Sequence, residues 1–491
     1  MKPFSAPSPF SFVLFGASGN LAKLKIYPAL YVLALKKRFP ENYAVVGYAR
    51  TEMVESDFRN LVEESIHAQI PEVNKKTLEE FLSRVHYVSG QYDKKEDFVK
   101  LTKKLESLEK EWREMVRLAY LSIPPMVFTQ ILENMCAGGF HNQKIPFRCI
   151  VEKPVGHDLK SFEDVQMQLR KCFKDEEIYL LDHYLGKEAV RNVYYLRFAN
   201  PVFERLFKNS LIHHVEVTAM ESLGLEGRSG YFDHTGTLRD MFQSHLLMMV
   251  SLLTMLIKES EGTIRESRLN ALRQFYLPPA ADLNDVILQG QYTKGKVHPS
   301  IGSGQTGETV VGYHQEEDIT DTSRTNTYAA LKLLTREARW QGVPFYLRSG
   351  KRMAKKETRI SIQFQEPHVV GEGSTPNRLD VILQGEAGMR LHLQTKIGGT
   401  TPAFRPLILE DPLVCMGDCL PEHGLLLLEA IHGKQTWFLT FDEIRTAWRL
   451  IDPLQTHLEK KPTPLYSYSA GTNGPEEVAA WAAKDGVQWV A

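Results

Sequence analysis

The densest chemistry in the chain is the stretch DHYLGKE (182–188), which gathers Asp182, His183, Tyr184 and Lys187 around one glycine. A histidine and a lysine so close together could grip an anion, but Asp182 would repel one. The stretch therefore has two jobs. On a helix, His183 and Lys187 at i, i+4 share a face while their neighbours diverge by about 100°. That face could hold an anion, with Asp182 turned to another task. The second cluster is VEKPVGHD (151–158), where Pro154 holds Lys153 out of helical dihedrals, so its side chain can aim out of a strand end. In ESLGLEGRSGYFDHTGTLRDMFQSHLL (221–247), a glycine-rich loop runs into a helix, and His245 heads its apolar part five residues after Asp240. A neutral imidazole there could take a proton near pH 7, although a histidine bordering an apolar face is more often a satisfied core group. RSGKRMAKK (348–356) brings Arg348, Lys351, Arg352, Lys355 and Lys356 together, and Gly350 suits a loop that wraps a phosphate. Such charge runs are usually just solvated.

The elements that must position these groups fall into two textures. SFVLF (11–15), YAVVGYAR (43–50), RLAYLSIPP (117–125) and FRCIVEKP (147–154) read as strands, and 20–39 reads as a helix strained at Pro28. Strands alternating with helices predict a doubly wound, Rossmann-like α/β domain over 1–182. Between its first strand and helix lies FGASGNLA (15–22). There Gly16 permits a tight turn, Gly19 a close backbone approach, and the helix N-terminus offers free N–H groups to a pyrophosphate. The spacing is GxxGxxA, a weak signal alone but correctly placed. The second strand ends in Arg50, where an NAD enzyme usually carries an acid, so the guanidinium fork favours the 2′-phosphate of NADP, with NAD a weaker acceptor. From about 190, stretches 211–220, 358–365, 378–384 and 388–397 alternate like antiparallel strands. They predict an α+β domain over 183–491 built on a large, mainly antiparallel sheet. The apolar run 246–257 reads as a buried helix, and 298–309 and 467–477 read as loops.

Composition narrows the partners. With 59 Lys plus Arg against 60 Asp plus Glu, no global field recruits nucleic acid. No apolar run reaches bilayer-spanning length, and the N-terminal residues make a poor secretory signal. The five cysteines are sparse and show no CxxC pair, which points to reduced thiols, a cytoplasmic setting and no metal site.

GASGNLAKLKIYPAL, EKPVG, DHYLGKE, EGRSGYFD with RDMFQSHLL, and WQGVPFYLRSGK occur in an order that resembles glucose-6-phosphate dehydrogenases, from about residue 11 almost to the C-terminus. The resemblance implies a homodimeric or homotetrameric enzyme that oxidises glucose 6-phosphate at C1 to the lactone and reduces NADP. It also implies roles. His245 resembles the general base and Asp182 the carboxylate that orients it, and Lys153 would lie between sugar and coenzyme. His183, Tyr184 and Lys187 resemble the phosphate grip, assisted by Lys25 and Lys356. Glu221, Asp240, Lys351 and Gln384 match sugar contacts. Gly16, Ala17, Ser18, Gly19, Asn20 and Leu21, with Arg50, Gln91 and Tyr92, match the coenzyme side. Asn20 stands where the family turn has Asp, Leu180 where it has Arg, and Ser222 replaces a frequent proline. The C-terminal signatures of a second, structural NADP site are not convincing. Two alternatives stay open: a relaxed hexose-phosphate or glucose dehydrogenase, and a catalytically weak NADP-binding homologue.

Overall fold

The computed structural model describes residues 7–124, 127–142, 144–256, 264–280, 282–297, 307–413 and 415–490. They form two compact units, 1–188 with 416–441, and 189–415 with 442–491.

The first unit is built on six parallel strands: β1 (Phe10–Phe15), β2 (Tyr43–Ala49), β3 (Val85–Ser89), β4 (Val116–Leu121), β5 (Phe147–Val151) and β6 (Ile178–Leu180). Their spatial order is β3-β2-β1-β4-β5-β6, so the chain reverses direction across the sheet next to β1. Every residue of β1 and β4 is buried, which is why both read as continuous apolar runs rather than alternating ones. The predicted helix after β1 is π-helical over Ala22–Ile26 and α-helical over Tyr27–Leu35. Pro28 is the second residue of the α-helical part, just past the π-helical turn of one continuous helix. β3 and β6 were not legible as strands.

The thiols need correction. Helices Phe128–Ala137 and Leu159–Cys172 bring Cys136 and Cys172 to a Cα separation of 6.1 Å, and the two are joined as a disulfide. The pair is 36 residues apart in sequence, so no short motif could announce it. Cys149 is free and buried.

The second unit holds β7 (Ile212–Met220), β8 (Phe275–Tyr276), β9 (Ile287–Thr293), β10 (Gly295–Val297), β11 (Glu308–Val310), β12 (Tyr328–Thr335), β13 (Phe345–Gly350), β14 (Glu357–Phe364), β15 (Arg378–Gln384), β16 (Gly388–Lys396), β17 (Phe404–Pro412) and β18 (Leu465–Ser469). Ten of them form one sheet, ordered β17-β16-β15-β14-β7-β13-β12-β9-β18, with β8 pairing β12. All its pairings are antiparallel except β7 with β13 and β9 with β18. The four predicted strands are β7, β14, β15 and β16, with β14–β15–β16 an antiparallel meander. Helix Leu247–Thr254 is buried along its whole length, as its composition required, but the run leaves the helix at Met255 and Leu256 is exposed; residue 257 lies outside the described residues.

Two loop readings change. Residues 467–469 belong to β18, and of 298–309 the part up to 306 lies outside the described residues while Glu308 opens β11. Gly350 ends β13 rather than opening a loop, and Arg348 is buried within that strand. Arg348 donates to Thr218 Oγ1 (3.0 Å) and the Val490 carbonyl (2.7 Å) while stacking on Trp489, so it is structural and not part of a phosphate-wrapping run. Among the described residues no helix is long and apolar enough to cross a membrane.

Candidate active site

In the first unit the candidate residues leave the sheet at one edge, the carboxyl ends of the strands, where open α/β sheets bind their ligands. The turn after β1 needs its glycine. Gly16 has φ +79°, and a Cβ there would lie 2.1 Å from the Ser122 carbonyl oxygen. Gly16 N–H donates to the Tyr48 carbonyl (3.0 Å) and Gly19 N–H to the Gly16 carbonyl (2.9 Å), which closes the turn and directs the chain into the helix. Gly19 is tight as well, since its Cβ would lie 3.0 Å from the Gly16 oxygen.

Arg50 follows β2 directly, exposed, with its guanidinium 5.6 Å from the centre of the Tyr92 ring. Burial raises the Tyr92 hydroxyl above its ordinary pKa, with Arg50 pulling the other way, so the phenol stays protonated. Ser18 Oγ lies 3.3 Å from Thr51 Oγ1, the Tyr87 hydroxyl donates to the Thr51 carbonyl, and the Tyr48 hydroxyl donates to the Gln91 carbonyl (3.0 Å). The ends of β1, β2 and β3 are thus tied into one surface that carries Ser18, Arg50, Gln91 and Tyr92. A cation stacked on an aromatic ring beside two hydroxyls fits a phosphate monoester, and the Gly16 turn fits a backbone approach to a pyrophosphate.

Lys153 is half-buried two residues beyond β5. Its neighbour Glu152 accepts a hydrogen bond from the buried Tyr120 hydroxyl, whose pKa burial and that carboxylate both raise.

DHYLGKE begins two residues after β6. Asp182 is 1% exposed and caps a single 3₁₀ turn, His183–Gly186, by accepting the Tyr184 N–H at 2.9 Å. The α-helix starts only at Glu188, so His183 and Lys187 do not share an α-helical face. Lys187 instead folds back with Nζ 3.6 Å from the Tyr184 ring centre.

The first unit also contributes residues that the sequence did not reveal. Segment 416–441 returns to it and places helix Glu422–Ile431 against the His183–Gly186 turn. Gly186 permits the approach, because a Cβ there would sit 2.5 Å from the Glu422 carbonyl. The His423 ring runs parallel to that of His183, 6° apart in plane and 6.5 Å between centres. His423 Nε2 lies 3.5 Å from Glu152 Oε1, and Lys25 Nζ lies 3.9 Å from Glu422 Oε1. Only the three-dimensional return of a distant segment makes these neighbours, so no local signal could have found them.

In the second unit, Lys351 is buried and donates to Glu221 Oε2 at 2.6 Å, with Asp240 Oδ2 at 4.0 Å and the Phe232 ring beneath it. Three candidate sugar contacts therefore meet around one ammonium. Asp240 and His245 share the π-helical segment Leu238–Leu246, which starts just after a break at Gly236 (φ +63°). Departures of this kind from α-helix recur at functional sites. The segment is pinned by Thr237, whose N–H donates to Asn326 Oδ1 (2.9 Å) and whose hydroxyl donates to the Asn326 carbonyl (3.0 Å). The next residue, Thr327, accepts the Lys351 N–H (2.9 Å), so one short segment fixes both Lys351 and the His245 helix. His245 is 3% exposed. Gln384 ends β15 and accepts from Thr358 Oγ1 (3.3 Å), while Lys356 is exposed just before β14.

Comparison with known proteins shows the family and the fold. Residues 13–192 match the family model "Glucose-6-phosphate dehydrogenase, NAD binding domain", and 194–490 match "Glucose-6-phosphate dehydrogenase, C-terminal domain". The chain is 34% identical to a glucose-6-phosphate 1-dehydrogenase of Rhizobium meliloti, covering 98% of this chain and 97% of that one. It is 36% identical to one of Schizosaccharomyces pombe, over 95% and 92%. Among solved structures it superposes on a glucose-6-phosphate dehydrogenase in complex with its substrate glucose-6-phosphate (TM-score 0.88, 29% identity, 100% of both chains). It also superposes on the Mycobacterium avium protein (TM-score 0.80, 27%, 99% of both). The first unit is accordingly a Rossmann-type domain for a nicotinamide dinucleotide.

Proposed function

The chain belongs to the glucose-6-phosphate dehydrogenase family, and from that premise we propose that it oxidises glucose 6-phosphate at C1 to 6-phosphoglucono-1,5-lactone, the first step of the oxidative pentose phosphate pathway. NADP, when bound, supplies the hydride acceptor. The observation that carries the reading is that the coenzyme-type turn, Arg50, Lys153 and DHYLGKE all emerge at one edge of the six-stranded sheet.

Arg50 takes the 2′-phosphate, stacked on Tyr92 and flanked by Ser18 and Thr51, while the Gly16–Leu21 turn receives the pyrophosphate. Gln91 and Tyr92 complete that wall. His183, Tyr184 and Lys187 hold the sugar phosphate with Lys25 and Lys356. Lys351, already fixed by Glu221, joins Glu221, Asp240 and Gln384 on the sugar hydroxyls. Lys153 sets the distance between sugar and coenzyme. His245 takes the C1 hydroxyl proton as hydride leaves, and Asp182 orients the imidazole and stabilises the imidazolium that forms. The family reading carries with it a cytoplasmic setting and a homodimeric or homotetrameric assembly. The edge strand β17, whose outer side pairs with no other strand among the described residues and whose Leu407, Ile408 and Leu409 are exposed, is a surface that a second copy would cover.

Initial rates with glucose 6-phosphate, glucose and galactose 6-phosphate, each with NADP and NAD, test the proposal. Turnover should be fastest with glucose 6-phosphate and NADP. Equal rates on glucose would mean a relaxed sugar dehydrogenase. Coenzyme binding without turnover on any sugar would mean a binding homologue.

A further inference from the structure

The Glu422 carboxylate sits where an anion is wanted. As the first residue of helix Glu422–Ile431 it is held over the His183–Gly186 turn by the close approach at Gly186. Its Oε1 lies 3.9 Å from Lys25 Nζ and 3.7 Å from His423 Nδ1. Both distances exceed a hydrogen bond, so the carboxylate is drawn between two basic groups without being fixed by either. On its other side His423 Nε2 lies 3.5 Å from Glu152 Oε1, and among the described residues its buried Nδ1 has no hydrogen-bond partner. An acid in the first turn suits the helix dipole wherever it points. That effect alone does not explain why this one lies between Lys25 and His423.

We propose that Glu422 is a built-in competitor for the sugar phosphate, a carboxylate that occupies the anion position beside His183 until a phosphate displaces it. The inference rests on the reading that the DHYLGKE turn receives the phosphate. A phosphate dianion brings more charge and three strong acceptor oxygens, and its charge-assisted bonds to lysine and imidazole are short, about 2.7–2.9 Å. It therefore wins over a carboxylate held at 3.7–3.9 Å. Glu422 is partly exposed at its helix terminus, so it has solvent to turn into. A sugar without a phosphate has nothing with which to displace it. Glu422 thus weakens the binding of phosphorylated sugars by the cost of breaking a loose, partly exposed ion pair, a cost that a sugar without a phosphate does not meet. Such pairs are worth roughly one-and-a-half- to fivefold in affinity.

Calorimetric titration with glucose 6-phosphate and, separately, with inorganic phosphate tests this on the wild-type protein, Glu422→Gln, Glu422→Ala and His183→Asn, with thermal melts to confirm folding. Both Glu422 variants should bind both ligands roughly one-and-a-half- to fivefold more tightly, a gain that damage to the fold does not produce, and His183→Asn should bind both more weakly. If His183→Asn weakens binding but neither Glu422 variant tightens it, this inference fails and the phosphate reading stands. If His183→Asn binds like the wild type, the phosphate reading itself fails and takes this inference with it.

Discussion

Replacing Arg50 with alanine should convert a coenzyme preference into near indifference. The guanidinium is exposed at the end of β2, stacks on Tyr92 at 5.6 Å, and lies beside the Ser18–Thr51 hydroxyl pair. A 2′-phosphate there would accept charge-assisted bonds from Arg50, each worth about 1.5–3 kcal/mol, which is roughly ten- to a hundredfold in affinity. NAD has a hydroxyl in place of that phosphate and would lose almost none of it. Because the site is open to solvent, the lower part of that range is expected, and added salt should shrink the effect. The assay is the KM for NADP and for NAD at saturating glucose 6-phosphate, in wild type, Arg50→Ala and Arg50→Lys. Arg50→Lys keeps the charge but loses the fork, so it should fall between the other two. Equal losses for NADP and NAD in Arg50→Ala would refute the reasoning, because they would make Arg50 a general support of the turn.

Gly16→Ala should act differently, lowering affinity for NADP and NAD alike. It should also destabilise the protein by about 1–3 kcal/mol, since alanine is strained at φ +79° and its Cβ meets the Ser122 carbonyl; an unchanged melting temperature would argue against the turn geometry. Lys153→Ala should lower kcat and raise the KM for glucose 6-phosphate together, whereas a change in KM alone would make it a simple binding lysine.

Much of the first unit was legible because parallel strands covered on both faces leave continuous apolar runs, as in β1 and β4. β6 escaped because three residues carry no period, and β3 because a histidine and a serine interrupt its short apolar pattern. In the second unit, the alternation of β7, β14, β15 and β16 was readable, but the burial of Arg348 depends on Trp489 and Val490 from the far end of the chain. Local spacing also misjudged DHYLGKE, where the Asp182 cap closes a 3₁₀ turn instead of starting an α-helix. Glu422 and His423 were not legible in the sequence, because Gly186, 236 residues before Glu422, is what admits their helix to the DHYLGKE turn.

The most direct test of the account is a paired measurement of kcat and KM for glucose 6-phosphate in His245→Asn and His183→Asn. With His245 as the base, His245→Asn should lose about a hundredfold or more in kcat while KM changes little, because proton abstraction acts in the transition state. His183→Asn should chiefly raise KM. A His245→Asn enzyme with near-normal kcat, and the loss of turnover appearing at His183 instead, would contradict the account and exchange the roles of the two histidines.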